Sequence, residues 1–282
     1  MTAMKDWLCD PAEHGGGAEI LPEYLYRYMG SDGLAHTVAS SQLRLNAWSQ
    51  MNDPRESHRW SPKPDLIASG DLSPGEIASR VDKTLRGASK LLSLTSDRMP
   101  SSHAAESYLF HRGWARATLW AHYAAGHSGV CLVLNTSDLM SSIASLPARD
   151  RRYTVVGRVR YEDEPLVVDL NGPIADSAAL DRAIEDLLDR QWAINRMHLT
   201  KNRDWSSECE VRVALVHALH DLSDVDVPLM VPIGTSLRAV IVGDAHPSPA
   251  MLAAGVRGVL ACSAPEMFAI RWNAGVPDLV DL

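Results

Sequence analysis

The sequence has little phenylalanine, no close pair of cysteines, no basic excess and no long apolar run, and each shortage removes a class of function. Cys9, Cys131, Cys209 and Cys262 lie far apart, with no CxxC spacing. Neither a zinc ribbon nor a thioredoxin-like centre is therefore indicated. Four scattered thiols in 282 residues suit a reducing cytosol better than a disulfide scaffold. With 27 Lys and Arg against 35 Asp and Glu, the formal charge is −8. A broad nucleic-acid binder would carry the opposite sign to neutralise phosphates, and an anionic membrane surface is disfavoured on the same ground. No apolar stretch reaches the roughly 20 residues that a membrane span needs. The opening MTAMKDWLCDPAEHGGG is not a charged stub leading into an apolar run, so a cytoplasmic protein without a secretory signal is expected. There is no GxGxxG, no strict strand–helix alternation and no internal repeat, which favours an α+β fold over a dinucleotide-binding Rossmann fold.

Against 2 Phe stand 8 Trp and 7 Tyr, whose rings carry a polar handle and suit pocket walls as well as cores. Residues 1–19, with three consecutive glycines, read as a flexible lead-in to a single domain over 20–282. Strands are expected at 24–28, 43–48, 91–96, 129–134, 153–161, within 206–220 (EVRVALVHAL), and at 228–234, 237–243 and 268–272, from apolar runs and period-two alternation. Ser73-Pro74-Gly75-Glu76 is a capping box opening a helix with Ile77, Val81 and Leu85 on one face. Helices are also expected over 34–41, 103–125, 177–200 and 248–260, so that 103–200 reads as a helical insertion. That insertion concentrates the acid: residues 161–190 hold nine acids against two Arg, just after five Arg in 149–160.

Three constellations carry chemistry. Glu208-Cys209-Glu210, at the head of a strand, should project two carboxylates from one face of the pleat. Like charges so placed need compensation, with Lys201 and Arg212 at hand. The same spacing also fits a solvated strand edge with a Glu–Arg ladder. Arg27 interrupts the apolar strand Tyr24-Leu25-Tyr26-Arg27-Tyr28, where an unpaired guanidinium is costly. It suits a bidentate contact to phosphate or carboxylate, or an outward place on an edge strand. Ser93 and Thr95 alternate on one strand face. The histidine pairs His122/His127 and His217/His220 lack a carboxylate at ligand spacing, so no metal site is expected.

The order of short motifs resembles a bacterial family known as a domain of unknown function, DUF2971. The matching pieces are Leu25-Tyr26-Arg27-Tyr28, Leu43-Arg44-Leu45 leading to Asn52-Asp53-Pro54-Arg55-Glu56, and Leu92-Ser93-Leu94-Thr95. They continue with Leu119-Trp120-Ala121-His122-Tyr123-Ala124, Gly129-Val130-Cys131-Leu132, Tyr161-Glu162, and Lys201 with Trp205-x-x-Glu208-x-Glu210-x-Arg212. A more distant resemblance is to ADP-ribosyltransferases of the Arg–Ser–Glu class, which show an early-strand Arg, a Ser-Thr-Ser strand and a later Glu-x-Glu in that order. That resemblance implies a mixed or antiparallel split β-sheet core and NAD as substrate.

It also implies roles. Arg27 would hold the pyrophosphate or ribose side of NAD, and Ser93 and Thr95 would brace the nicotinamide-side pocket. Glu210 would bond the ribose 2′-hydroxyl and stabilise an oxocarbenium-like transition state, while Glu208 would position or deprotonate the acceptor. Asn52, Trp120, Tyr123, Lys201, Trp205 and Arg212 complete the implied NAD-binding set. The acceptor stays open among protein side chain, nucleic-acid base, small molecule and water. Two other readings stand beside this one: a non-enzymatic nucleotide-binding module of a bacterial defence or toxin system, and a metal-dependent hydrolase or nuclease using the acidic cluster.

Overall fold

The computed structural model of the chain describes residues 21–57, 72–98, 108–147, 153–164, 168–170, 174–216, 227–261 and 263–282. Its framework is a ten-stranded sheet, mostly antiparallel and partly parallel, with helices on both faces. The fold is α+β. In chain order the first half holds β1 (Tyr24–Met29), α1 (Ser31–Ser40), β2 (Gln42–Ala47), α2 (Pro54–Ser57), α3 (Pro74–Gly87), β3 (Ser89–Thr95), α4 (Ala117–Tyr123), β4 (Val130–Asn135) and α5 (Thr136–Ala144). Then come β5 (Tyr153–Arg158), β6 (Arg160–Tyr161), α6 (Ser177–Asp189), α7 (Gln191–His198), β7 (Thr200–Lys201) and β8 (Glu210–Val216). The chain closes with β9 (Leu229–Pro232), β10 (Leu237–Val242), α8 (Pro249–Val259), β11 (Glu266–Asn273) and β12 (Val276–Asp281).

The sheet runs β12-β11-β10-β4-β1-β3-β2-β9, and β8 lies against β3 and β5. Its feature of consequence is at β3. One edge of β3 is paired to β8 along its whole length, from Ser89↔Val216 to Thr95↔Glu210. The other edge is shared: β1 meets it at Tyr26↔Thr95, and β2 at Asn46↔Leu91 and Ala47↔Lys90. Between those two contacts, around Ser93, β1 and β2 have parted. The sheet is split there, and the gap is a cleft.

Alternation along the strands decides which side chains form the core. One face of β1 and β3 sends Leu25, Leu92 and Leu94 into a cluster with Leu132, Leu134, Val211 and Val213. The opposite face of β1 sends Tyr24, Tyr26 and Tyr28 against Trp114, Trp120 and Ile241. A third cluster packs α3, α6 and α7 over Leu91, Ala214 and Val216. Much of the tryptophan thus fills the core that phenylalanine usually occupies: Trp48, Trp114 and Trp120 are among the largest fully buried side chains.

Several elements depart from expectation. Residues 103–200 are no purely helical insertion, because they supply β4 and β5 to the main sheet. The expected helix over 103–125 is two 3-10 turns, Tyr108–His111 and Gly113–Ala115, before the short α4; residues 101–107 lie outside the described ones. At Gly113 a Cβ would collide with the Tyr26 ring, so this segment lies too close to β1 for a regular helix of bulkier residues. The expected helix over 177–200 breaks at Arg190, whose backbone leaves the helical region and whose guanidinium donates to the Asp169 carbonyl at 2.7 Å. After the break α7 ends at His198, behind the cleft, and the chain passes on to Lys201 in β7, which lines it. The Ser73–Glu76 capping box forms as expected. His217, His220, Cys9, Cys262, the lead-in and much of the 61–72 loop fall outside the described residues.

Candidate functional site

The cleft at the split is lined by β1 (Tyr26, Arg27, Tyr28), β2 (Asn46), the turn after it (Gln50, Met51, Asn52), β3 (Ser93, Leu94, Thr95), α4 (Leu119, Tyr123) and the Lys201, Glu208, Glu210 group. It is open to solvent, with a cavity volume of about 200 Å³. Eight of the eleven residues singled out from sequence line it: Arg27, Asn52, Ser93, Thr95, Tyr123, Lys201, Glu208 and Glu210.

The two glutamates reach one place by an unexpected route. Glu208 ends a 3-10 turn, Arg203–Glu208; Cys209 takes a left-handed conformation, φ 45°; and Glu210 opens β8. The pair therefore does not stand on one pleated face. A left-handed residue between them folds the chain so that both carboxylates meet Lys201, whose Nζ lies 2.7 Å from Glu208 Oε2 and 3.2 Å from Glu210 Oε2. The turn is fastened from behind. Ser96 donates through both its N–H and its hydroxyl to the Cys209 carbonyl, at 3.0 and 2.9 Å. Arg116 donates to the Ser207 and Ser96 carbonyls at 3.1 Å each.

The other oxygens are held too. Tyr123 donates its phenol to Glu208 Oε1 at 2.5 Å, and Arg212 donates from Nε to Glu210 Oε1 at 2.9 Å. Arg212 is wholly buried and also pairs with Glu56, while its Nη1 donates to the His198 carbonyl at 2.8 Å. Glu56, Glu208 and Glu210 thus face Lys201 and Arg212, three carboxylates against two cations, leaving one formal negative charge in excess beside the cleft. Burial opposes the charge on Glu210, but Arg212, Lys201 and the adjacent Ser93 hydroxyl outweigh it and hold its pKa below the usual carboxylate range. For Glu56 burial prevails over Arg212, and its pKa is raised. Burial and the nearby Glu208 push the Tyr123 phenol up, so it stays a donor. Lys201 is raised: burial would lower it, but Glu210 and Glu208 win.

Arg27 is of another kind. Its Nη2 donates to the Arg44 carbonyl at 2.9 Å, tying β1 to β2 across the split. Its Nη1 is buried and has no hydrogen-bond partner among the described residues. Burial, with Arg44 close by, lowers its pKa to about 10. It makes no ion pair with Glu208 or Glu210, whose cationic partners are Lys201 and Arg212.

Three expected NAD-binding residues have different places. Trp120 lies in the core, its indole donating to the Trp114 carbonyl at 2.8 Å and standing edge-on to Tyr28 at 5.2 Å. It supports the cleft wall from behind, since the helical face that carries it points at the sheet. Arg212 is consumed by Glu56 and Glu210. Trp205 covers Lys201, with Nζ 4.8 Å from its ring centre, and lies outside the lining. Glu56, Asp53 and Tyr161 stand in the quoted motifs without an expected role, yet each braces the site. Asp53 accepts from the Asn202 backbone and side chain, both at 2.9 Å, and Tyr161 accepts from the Glu210 N–H at 2.7 Å. The signal for Glu56 was present in principle: an Arg on a strand as apolar as β8 requires a second carboxylate. Among the described residues no three His, Cys, Asp or Glu side chains are arranged to hold a metal ion. Nor is any helix among them long and apolar enough to cross a membrane.

Comparison with known proteins touches the same region. Residues 119–213 match the DUF2971 family model. That family is described as a protein of unknown function. The matched span runs from α4 to β8 and carries Tyr123, Lys201, Glu208, Glu210 and Arg212; Arg27, Ser93 and Thr95 precede it. No curated protein matches the chain. A solved structure of Thermus sp. 2.9 DarT in complex with ADP-ribosylated ssDNA aligns over 87% of this chain and 91% of its own, with 10% identity and a TM-score of 0.32. A superposition that loose pairs no side chains, and the chemistry of the cleft rests on its own geometry.

His198, behind the site, gives a pH test. Its Nδ1 lies 2.7 Å from the Ile194 carbonyl and must donate, so Nε2 accepts from the Ser89 hydroxyl at 2.8 Å. Burial lowers its pKa from 6.5 to about 3. The unfolded chain then binds the extra proton. His198 therefore contributes its full stability above pH 6.5, and that contribution falls as the pH drops toward 3, by about 1.4 kcal/mol per unit over most of the window. Urea midpoints taken from pH 6.5 down to 4.5 should fall more steeply for the native protein than for His198→Gln. Parallel slopes would contradict the assignment.

Proposed function

We propose that this protein consumes NAD, breaking its nicotinamide–ribose bond and transferring ADP-ribose to an acceptor. The observation that carries the reading is the charge that lines the cleft: Arg27 without an ion-pair partner among the described residues, and a carboxylate cluster with one formal negative charge in excess. NAD carries both complementary charges, an anionic diphosphate and a cationic nicotinamide ring. In the reaction the ribose C1′–N bond breaks and its electron pair neutralises the pyridinium, so nicotinamide departs uncharged. Positive charge moves to the ribose, where a fixed, ionised Glu210 stabilises it. The acceptor attacks C1′, and its proton passes to Glu208, which is already oriented by Tyr123 and Lys201. Ser93, Thr95, Tyr28, Asn52 and Met51 all line the cleft and would wall the space for the departing ring.

A second reading draws on the pairing of the carboxylates. Each oxygen of Glu208 and Glu210 already has a protein partner, as in a structural ion-pair network beneath a nucleotide-binding cleft. Incubation with NAD separates the two. Transfer predicts free nicotinamide by chromatography; a binding module predicts a raised melting temperature with NAD and no turnover. Absence of both effects, with protein, nucleic-acid and water acceptors supplied, removes both readings.

A further inference from the structure

We propose that Tyr123 is a catalytic residue of this cleft, relaying the acceptor's proton through its phenol to Glu208, so that the acceptor is a neutral nucleophile that loses a proton as it attacks. The inference rests on the transfer reading and adds a proton path to it, giving Tyr123 a role other than holding NAD.

The helix that carries Tyr123 is short but fastened at both ends. At its start the buried Arg116 donates to the Ser207 and Ser96 carbonyls at 3.1 Å each. At its finish the Trp120 carbonyl accepts from the His127 N–H at 3.1 Å, and the Ala124 carbonyl from the Gly129 N–H at 2.8 Å. Trp120, one turn before Tyr123, is packed into the core, so α4 is held against rolling and Tyr123 is kept on the cleft wall. The phenol donates to Glu208 Oε1 at 2.5 Å, and Glu208 Oε2 accepts from Lys201 at 2.7 Å. Only 8% of the Glu208 side chain is exposed, whereas Tyr123 is partly exposed where it lines the cleft. A ligand in the cleft therefore meets the phenol oxygen more readily than the carboxylate. Lys201, paired with both glutamates, is an ammonium with no lone pair to offer. A phenol oxygen can accept one proton while giving up another.

The step balances. The acceptor atom bonds to C1′ as the C1′–N bond breaks and its electron pair enters the pyridinium ring. The acceptor's proton moves to the Tyr123 oxygen while the phenol's own proton moves to Glu208 Oε1. Carboxylate and nicotinamide both end neutral, and no phenolate forms. That agrees with a phenol whose pKa is held up by burial and by Glu208.

NAD turnover by the full chain, first with water as acceptor and then with sodium azide added, tests the relay. Azide is an anion with no proton to lose. Tyr123→Phe keeps the ring and should hydrolyse NAD about 10²-fold more slowly at a nearly unchanged KM. Azide should bring its NAD consumption back to within about tenfold of native, with ADP-ribosyl azide as the product seen by mass spectrometry. Glu208→Gln should be restored in the same way. Glu210→Gln should not, because its loss falls on breaking the C1′–N bond. A native rate in Tyr123→Phe overturns the relay and leaves the transfer reading standing. So does a slow Tyr123→Phe that azide leaves slow, since the phenol would then serve only the shape of the site. His122, whose ring centre lies 6.3 Å from that of Tyr123, is the rival base. An azide-reversible loss in His122→Gln, with none in Tyr123→Phe, would move the proton path there. No nicotinamide release by the native protein, with water, protein and nucleic-acid acceptors supplied, removes the transfer reading and the relay with it.

Discussion

Arg212→Met is expected to cost about 3–5 kcal/mol of folding stability, read as a lower urea midpoint at neutral pH. Arg212 is wholly buried on a strand whose neighbours Val211 and Val213 are core residues, and it partners both Glu56 and Glu210. Without it three carboxylates share Lys201 as their one remaining cation in the cluster. All three are buried, and the two in excess of Lys201 have little means of neutralisation except taking up protons, which ties the loss to pH. The deficit should shrink as the medium is acidified, and Glu56→Gln combined with Arg212→Met should recover part of it. A midpoint equal to that of the native protein would show that the cluster contributes nothing to the fold.

Glu210→Gln should lower nicotinamide release about 10²–10³-fold, the loss typical when a preorganised charge is removed from a transition state. Its effect on stability should be far smaller than that of Arg212→Met. With Glu210 neutral, Glu56 and Glu208 face Arg212 and Lys201, two against two, and the cluster balances. The contrast between the variants is the informative part: one removes a cation that supports the fold, the other the charge assigned to chemistry. Retained turnover in Glu210→Gln would exclude it as the stabilising carboxylate.

Much of the strand framework was legible because strands buried on both faces write themselves as apolar runs. Val130–Asn135, Glu210–Val216 and Leu237–Val242 were found within a few residues for that reason. Helices fared less well where tertiary contact overrides local preference. The apolar spacing of 103–125 cannot reveal that Gly113 packs against the Tyr26 ring, and that of 177–200 cannot reveal the Arg190–Asp169 contact that breaks the helix. The strand Val276–Asp281 was missed altogether; it forms because Ala274 and Gly275 take positive φ and turn β12 back on β11.

For the site, sequence supplied residue types and order, and the fold supplied their assignment. Arg27 and the Glu-x-Glu element were recognisable as costly in their strands, since a charge in an apolar run has to be compensated wherever the chain goes; Ser93 was legible only as a hydroxyl sharing a strand face with Thr95. What compensates it is a matter of three dimensions. Lys201 and Arg212 are similar cations near the same glutamates in sequence, yet one joins the two carboxylates at the cleft and the other is sealed beneath them with Glu56, 156 residues away. Trp120 and Tyr123 are one helical turn apart, and only the tyrosine reaches the cleft. The sequence by itself determined an α+β fold, an acidic chain and a short set of candidate site residues, because hydrophobic period and charge are local properties. Tertiary structure decided which of those charges were neutralised by the protein and which were left for a ligand, because that depends on how β1, β2 and β8 divide the edges of β3.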